Sequence, residues 1–192
     1  MIASLRHFAE EDLPLRTELL RDDKFQANLT DFATLSDTEA LTASQRRTIE
    51  EEHDVKRIFS VLGTKGQVVG FVWLTSLDWR SQTCELSIAV LPRYRGAYGL
   101  AAIAAALRYI HDELNMETVI NQVLAHNTML QSQALLDSRH TVTCAYDSFT
   151  VGEWRTALFW ADTREEYHAT KIEFEKRRAE RRDRIMAKVG AP

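Results

Sequence analysis

Two arginines and two glycines lie within one seven-residue stretch, Arg93-Tyr94-Arg95-Gly96-Ala97-Tyr98-Gly99. Before it, Glu85 to Leu91 alternates loosely between polar and apolar residues and includes β-branched ones, so it reads as a strand. Pro92 closes that run, because it has no N–H to give a sheet ladder. After the turn, Leu100 to Leu107 is almost entirely Ala, Leu and Ile, residues that a helix accommodates at little cost. A strand, a glycine turn and a helix head make a receptor for an anion: the free N–H groups of the turn and the positive end of the helix dipole point to one place. Glycine lets a bulky phosphate come close to the backbone. Packing alone produces many such turns. Here, however, the turn brings its own guanidinium groups, and no acid follows before Asp112, whereas an ordinary surface helix puts Asp or Glu in its first turn.

Other elements must hold that turn. Ala3 to Phe8 alternates as an opening strand, and Glu10-Glu11-Asp12-Leu13-Pro14 carries the acids and proline of a helix start. Leu13, Leu15, Leu19, Leu20 and Phe25 form its apolar face. A second helix is expected from Asp37, whose side chain can cap it, to about Glu52. Lys56 to Leu62 and Gln67 to Leu74 flank Gly63-Thr64-Lys65-Gly66 in a hairpin pattern. Ser76 to Gln82 reads as a polar turn leading back to Cys84. Beyond the central helix, which Asn115 ends, Thr118 to Leu124 reads as a strand closing at His126-Asn127. Helical spacing over Thr128 to Asp137, a strand over Thr141 to Phe149, a turn at Gly152-Glu153-Trp154 and a closing strand over Thr156 to Trp160 complete the order.

The chain has 192 residues, 45% hydrophobic and 27% charged, enough for one domain with a proper core. A net charge of -4 argues against the whole surface being a nucleic-acid platform. Cys84 and Cys144 lie in strand-like runs without metal-ligand spacing, so buried free thiols and no metal site are expected. No apolar run reaches the ~18 residues of a membrane span, and the N-terminus has no signal-peptide core. The expectation is a cytoplasmic protein.

The run ELSIAVLPRYRGAYGLAAIAAALRYI resembles the central motif of the GNAT superfamily of acyl-CoA N-acyltransferases: a strand, then Arg/Gln-x-x-Gly-x-Gly/Ala, then a helix. The spacing here departs from that motif and reads Arg95-x-x-x-Gly99-x-Ala101. Either the loop carries one extra residue, or Tyr98 stands where a glycine is usual. The element order is also that of GNAT proteins. The strand ending in asparagine and the hairpin turned on Gly152-x-Trp154 resemble the ribosomal-protein N-terminal acetyltransferase branch. The resemblance spans about residues 3–168, with its specific part over 85–160. It implies an α/β (α+β) fold: a mixed, mostly antiparallel central sheet flanked by helices, in a domain over 1–168, with a charged C-terminal helix over 169–192.

The resemblance also implies the chemistry. Acetyl-CoA would be the donor, not tightly bound and without a metal. The acceptor would be a primary amine of a small molecule or a peptide N-terminus, acylated directly through a tetrahedral intermediate. Arg93, Arg95, Gly96, Ala97, Tyr98, Gly99, Leu100 and Ala101 would hold the diphosphate. Ile88, Val90 and Leu91, on a strand that splays from Thr118–Leu124, would grip the pantetheine arm, and an N–H between Ile88 and Leu91 would face the oxyanion. Asn127 matches the family asparagine that contacts the pantetheine. Glu85 is the candidate base, acting through a water; the alternative is an ordinary strand-end glutamate. A weak base suits an α-amine, which titrates near 8, better than a lysine near 10.4. The usual general-acid tyrosine falls at Ala134, so Ser132 is the nearest hydroxyl, with Tyr94, Tyr98 and Tyr146 as substitutes. His126 is a second base or a structural residue. Phe25, Asn28, Phe32 and Ser44 to Arg47 are either one wall of the acceptor cleft or a solvated helical layer.

Lys171 to Lys188 differs in kind, with eight basic residues against four acidic ones, a net +4 that leaves -8 on the rest. Ile172, Ala179 and Met186 recur every seven residues, a thin apolar seam on a helix. Such a helix rests on its own domain or on a second copy in a homodimer, or it touches nucleic acid, tRNA included. Together with the altered phosphate loop, it keeps open a GNAT-fold aminoacyltransferase that uses aminoacyl-tRNA. A fold that only binds a partner is the third reading.

Overall fold

The computed structural model describes residues 2–22, 37–50, 55–127, 141–150 and 152–189. Its frame grows from the glycine hairpin. Gly63 donates to the Gln67 carbonyl at 2.8 Å, turning β2 (Arg57–Gly63) onto β3 (Val68–Asp78). β1 (Ala3–His7) pairs with the far edge of β2, and β4 (Thr83–Val90) with the other edge of β3, all antiparallel. β5 (Thr118–Leu124) lies parallel to β4, and the hairpin of β6 (Val142–Thr150) and β7 (Glu153–Thr163) completes a seven-stranded sheet in the order β1-β2-β3-β4-β5-β7-β6. The parallel pair needs a crossover, and α3 (Ala97–Arg108) supplies it.

Alternation along the strands gives the sheet two apolar faces. Ala102, Ala106 and Ile110, from α3 and the π turn Tyr109–Glu113, pack on Val61, Val72, Leu74, Cys84 and Val119. On the opposite face, Leu13 and Leu19 of α1 (Leu13–Arg21) meet Phe8, Ile58, Phe71, Ala89 and Leu91. α2 (Thr38–Glu50) packs on α1, and Asp37 caps it as expected, accepting the Ala40 N–H at 2.7 Å. The buried Asp12 carboxylate joins this layer to the sheet: it accepts from Arg6 at 2.8 and 3.0 Å and from Ser60 at 2.7 Å.

Several expectations need correction. Ser76 to Asp78 is not a turn but the end of β3, carried past a bulge by Ser76 in the left-handed region (φ 50). The closing strand runs the full Glu153–Thr163, because it is paired on both edges with β5 and β6. Cys84 is buried and its thiol is pushed up to about 12 by burial, with the Glu85 charge adding. Cys144 is exposed, since β6 is an edge strand. The helix expected over Thr128 to Asp137 lies outside the described residues. No helix among the described residues is long and apolar enough to cross a membrane.

Among the described residues the C-terminal helix α4 (Arg164–Val189) is rooted only at its start. Arg164 donates to Asn115 Oδ1 at 2.8 Å, and Asp112 accepts from Tyr167 at 3.1 Å and Lys171 at 2.9 Å. From Lys171 to Met186 every residue is exposed. Under this root lies His111, buried, stacked on Tyr167 with centroids 5.0 Å apart. Its Nδ1 donates to the Met116 carbonyl (2.9 Å), so Nε2 is a bare buried nitrogen with no partner. Burial therefore holds its pKa below 6.5, outweighing the Met116 bond. In the unfolded chain the imidazole takes up a proton near 6.5, whereas the folded one resists, so its contribution is complete above that pH and is lost as pH falls toward the folded value. Melting temperatures measured from pH 8 to pH 5 should fall on the acid side, and His111→Gln should reduce that slope.

Candidate active site

β4 and β5 begin as neighbours and then part. Their parallel pairing runs from Thr83↔Thr118 to Glu85↔Ile120 and is not continued beyond that point among the described residues. β4 instead stays with β3 up to Val90↔Gly70, and β5 with β7 up to Leu124↔Ala157. The two strands thus open a V toward their C-terminal ends. At one tip stands the glycine turn, at the other Asn127, buried after β5 with its N–H on the Leu124 carbonyl at 2.8 Å.

Alternation decides which amides face the opening. Leu91 donates to the Val69 carbonyl at 2.9 Å, toward β3, so its N–H is committed. The amides of Ala89 and Ser87 point the same way, and those of Ile88 and Val90 point into the V. Of the expected donors, Ile88 and Val90 are therefore the two whose N–H groups are available there.

The turn itself is open. Pro92–Tyr94 forms one 3-10 turn, Gly96 takes φ 99, and α3 starts at Ala97, so Ala97, Tyr98 and Gly99 occupy its first turn. Tyr98, where the motif departs, lies in the first turn of the helix. Its ring meets Tyr94 edge-on at 5.7 Å and packs against the core rather than over the turn. A Cβ added at Gly96 or Gly99 would meet nothing within 4 Å. No side chain caps the helix and no acid sits in its first turn. Arg93 and Arg95 are exposed without an acidic partner among the described residues, the Arg93 guanidinium lying 4.9 Å from the Tyr94 centroid. Leu100 is exposed and Ala101 half-buried on the same turn. The Gly99 N–H is held by the Gly96 carbonyl at 3.0 Å; what fits an anion here is the uncapped helix head, two guanidinium groups without an acidic partner among the described residues, and space.

Glu85 is exposed at the last position of β4 that pairs with β5, where the V begins, and accepts from Thr75 Oγ1 at 3.1 Å. It lies on the face that α1 and α2 cover, because Thr75 follows Trp73 by two residues on that side. Ser132, Phe25, Asn28 and Phe32 lie outside the described residues. Tyr146 is exposed on the edge strand, two strands away from β5, which removes it as a proton donor to the V. Arg46 is engaged with Glu10 at the surface, while Gln45 is buried under α1. Sequence reasoning missed Arg16 and Lys56, both on the sheet face that carries Trp73 and Glu85. The spacing Leu13-Arg16-Thr17-Leu20 puts Arg16 on the buried stripe of α1, a signal that its charge concealed. Among the described residues no group of His, Cys, Asp and Glu could hold a metal ion.

No curated protein sequence matches this chain. Solved structures do. A chimera of the Vibrio cholerae spermidine N-acetyltransferase SpeG with hSSAT superposes with a TM-score of 0.74 at 17% identity, covering 87% of this chain and 98% of that one. The Vibrio cholerae spermidine N-acetyltransferase in complex with CoA and spermine gives 0.71 at 18% identity, covering 86% and 97%. At such identities the likeness is one of fold, and these neighbours are polyamine enzymes rather than members of the ribosomal-protein branch. The sequence model of the acetyltransferase (GNAT) domain matches residues 4–136, well over half of the chain. That span contains the opened strand pair up to its tips and the glycine turn, and the chain belongs to the GNAT family of N-acetyltransferases.

Proposed function

We propose that this protein transfers an acetyl group from acetyl-CoA to a primary α-amine, that of a small molecule or a peptide N-terminus. The single observation that carries this reading is the V between β4 and β5, which opens toward the uncapped head of α3. Amides of Ala97 and Tyr98, with Arg93 and Arg95, hold the diphosphate; Ile88, Val90 and Asn127 line the pantetheine path. The donor supplies an activated thioester. An N–H of Ile88 or Val90 stabilises the charge that develops on its oxygen, in a cleft where a fixed donor needs no reorganisation. Glu85, solvated and hydrogen-bonded to Thr75, takes the amine proton through a water. An α-amine is already about one-tenth neutral at pH 7, so a base of ordinary strength suffices.

Calorimetric titration with acetyl-CoA tests the donor; micromolar binding is expected and its absence would remove the reading. The rate–pH profile tests the base. Glu85→Gln is expected to move the half-maximal rate upward, toward the acceptor's own pKa near 8. An unchanged profile takes Glu85 out of the role.

A further inference from the structure

Among the described residues Arg16 is a charge without a counter-charge. The residue is 6% exposed, between α1 and the sheet. The guanidinium lies 5.2 Å from the Trp73 centroid and 5.6 Å from that of Phe8. Nη1 donates to Gln45 Oε1 at 2.8 Å, Gln45 is held in turn on Thr17 at 2.7 Å, and the buried Nε has no acceptor. Among the described residues no carboxylate pairs with it. Lys56, half-buried at the head of β2, shares the face of Ile58 by alternation and is close enough to Arg16 to be repelled by it. It too has no acidic partner among the described residues. Burial brings Arg16 down to about 10 and lowers Lys56, to which the neighbouring guanidinium adds. Aromatic faces and one amide offset part of the cost of burying Arg16, but a buried cation beside a second one is unfavourable until an anion joins them.

The place of this pair gives it a use. Trp73 and Thr75 are on one face of β3, and Thr75 holds Glu85. Lys56 at the head of β2 and the candidate base on β4 therefore share one face of the sheet, two strands or about 10 Å apart at the backbone, and Arg16 of α1 lies over Trp73 on that same face. We propose that Arg16 and Lys56 form an anion subsite of the acceptor cleft, so that the acceptor is an amine bearing a carboxylate. An acceptor with its amine at Glu85 reaches them with a carboxylate a few bonds away. A polyamine would instead bring a second ammonium against two cations, so the substrate of the fold neighbours is disfavoured here.

This inference rests on the acetyltransferase reading, and the test separates the two. Initial rates with acetyl-CoA are measured for glycine and glycylglycine, each against its carboxamide, and for spermidine. At least one carboxylate should exceed its carboxamide and spermidine at least tenfold in kcat/KM. Lys56→Met should raise KM for that carboxylate with kcat within about twofold and reduce the preference; Arg16→Gln should abolish it. Because Arg16→Gln also changes a buried side chain, Lys56→Met decides where the former fails to fold. A thermal-shift series with glycylglycine and its carboxamide, without acetyl-CoA, reads the subsite independently of turnover. A carboxylate-specific rise in Tm that Lys56→Met removes and Glu85→Gln retains supports the subsite even where no acetylation is seen. Acetylation that prefers spermidine, or a carboxylate preference untouched by Lys56→Met, overturns the subsite and leaves the acetyltransferase standing.

Discussion

Gly70→Ala is expected to lower the unfolding free energy by about 3 kcal/mol, among the larger effects of a single methyl group. A Cβ at this position would stand 2.3 Å from the Ala89 carbonyl oxygen and 3.0 Å from the Val90 Cα. Both obstacles are backbone, so no rotamer change relieves the overlap; the strands must move. Glycine inside a strand commonly marks such a close approach. For a chain of this length the melting temperature should drop roughly 6–12 °C, as each kcal/mol is worth about 2–4 °C. The same residues tie the stability to the site. Gly70 pairs with Val90, whose own N–H faces the V, so spreading β3 from β4 shifts that N–H. Activity at a temperature where the variant remains folded should therefore fall as well. A variant as stable as the parent would mean that β3 and β4 are further apart than described.

The parts of the chain that were legible are those where a local rule and the tertiary environment agree. β5 occupies Thr118–Leu124 as read, because Asn115 in the left-handed region (φ 59) and the turn at His126 bound it by their own chemistry. The hairpin at Gly63 to Gly66 and the cap at Asp37 were legible for the same reason. What escaped depends on distant partners. Nothing local at Leu86 says that β4 leaves β5 there; the V follows from what β3 and β7 hold. Ser76 looks like a turn residue and is one locally, yet the strand continues past it because β4 pairs with Asp78. Arg16 has the periodicity of a core residue and the charge of a surface one, and only the aromatic shelf of Phe8 and Trp73 decides between them. Tyr98 breaks the glycine pattern in the sequence but not the turn in space, since its ring has a place in the core.

Gly99→Ala and Gly96→Ala should divide folding from binding. At Gly99, within the first turn of α3, a methyl group meets nothing within 4 Å, and helical backbone suits alanine. Stability should rise by about 0.5 kcal/mol, mostly through a less flexible unfolded chain. Yet the added methyl stands at the uncapped helix head, where a phosphate must approach the amides closely. Acetyl-CoA affinity should fall about tenfold, close to 1.4 kcal/mol. Gly96 differs, because φ 99 with ψ -117 is a conformation that side chains rarely adopt. Alanine there should cost about 1–3 kcal/mol of stability and also weaken the coenzyme, as the helix head twists away. Gly66→Ala is the control: it has φ 76 in the hairpin between β2 and β3, and should destabilise without touching affinity. Thermal melts and acetyl-CoA titrations of the three variants give two independent scales. If Gly99→Ala binds acetyl-CoA as tightly as the parent, the diphosphate is not seated on the head of α3, since no loss of folding can mask or mimic that result.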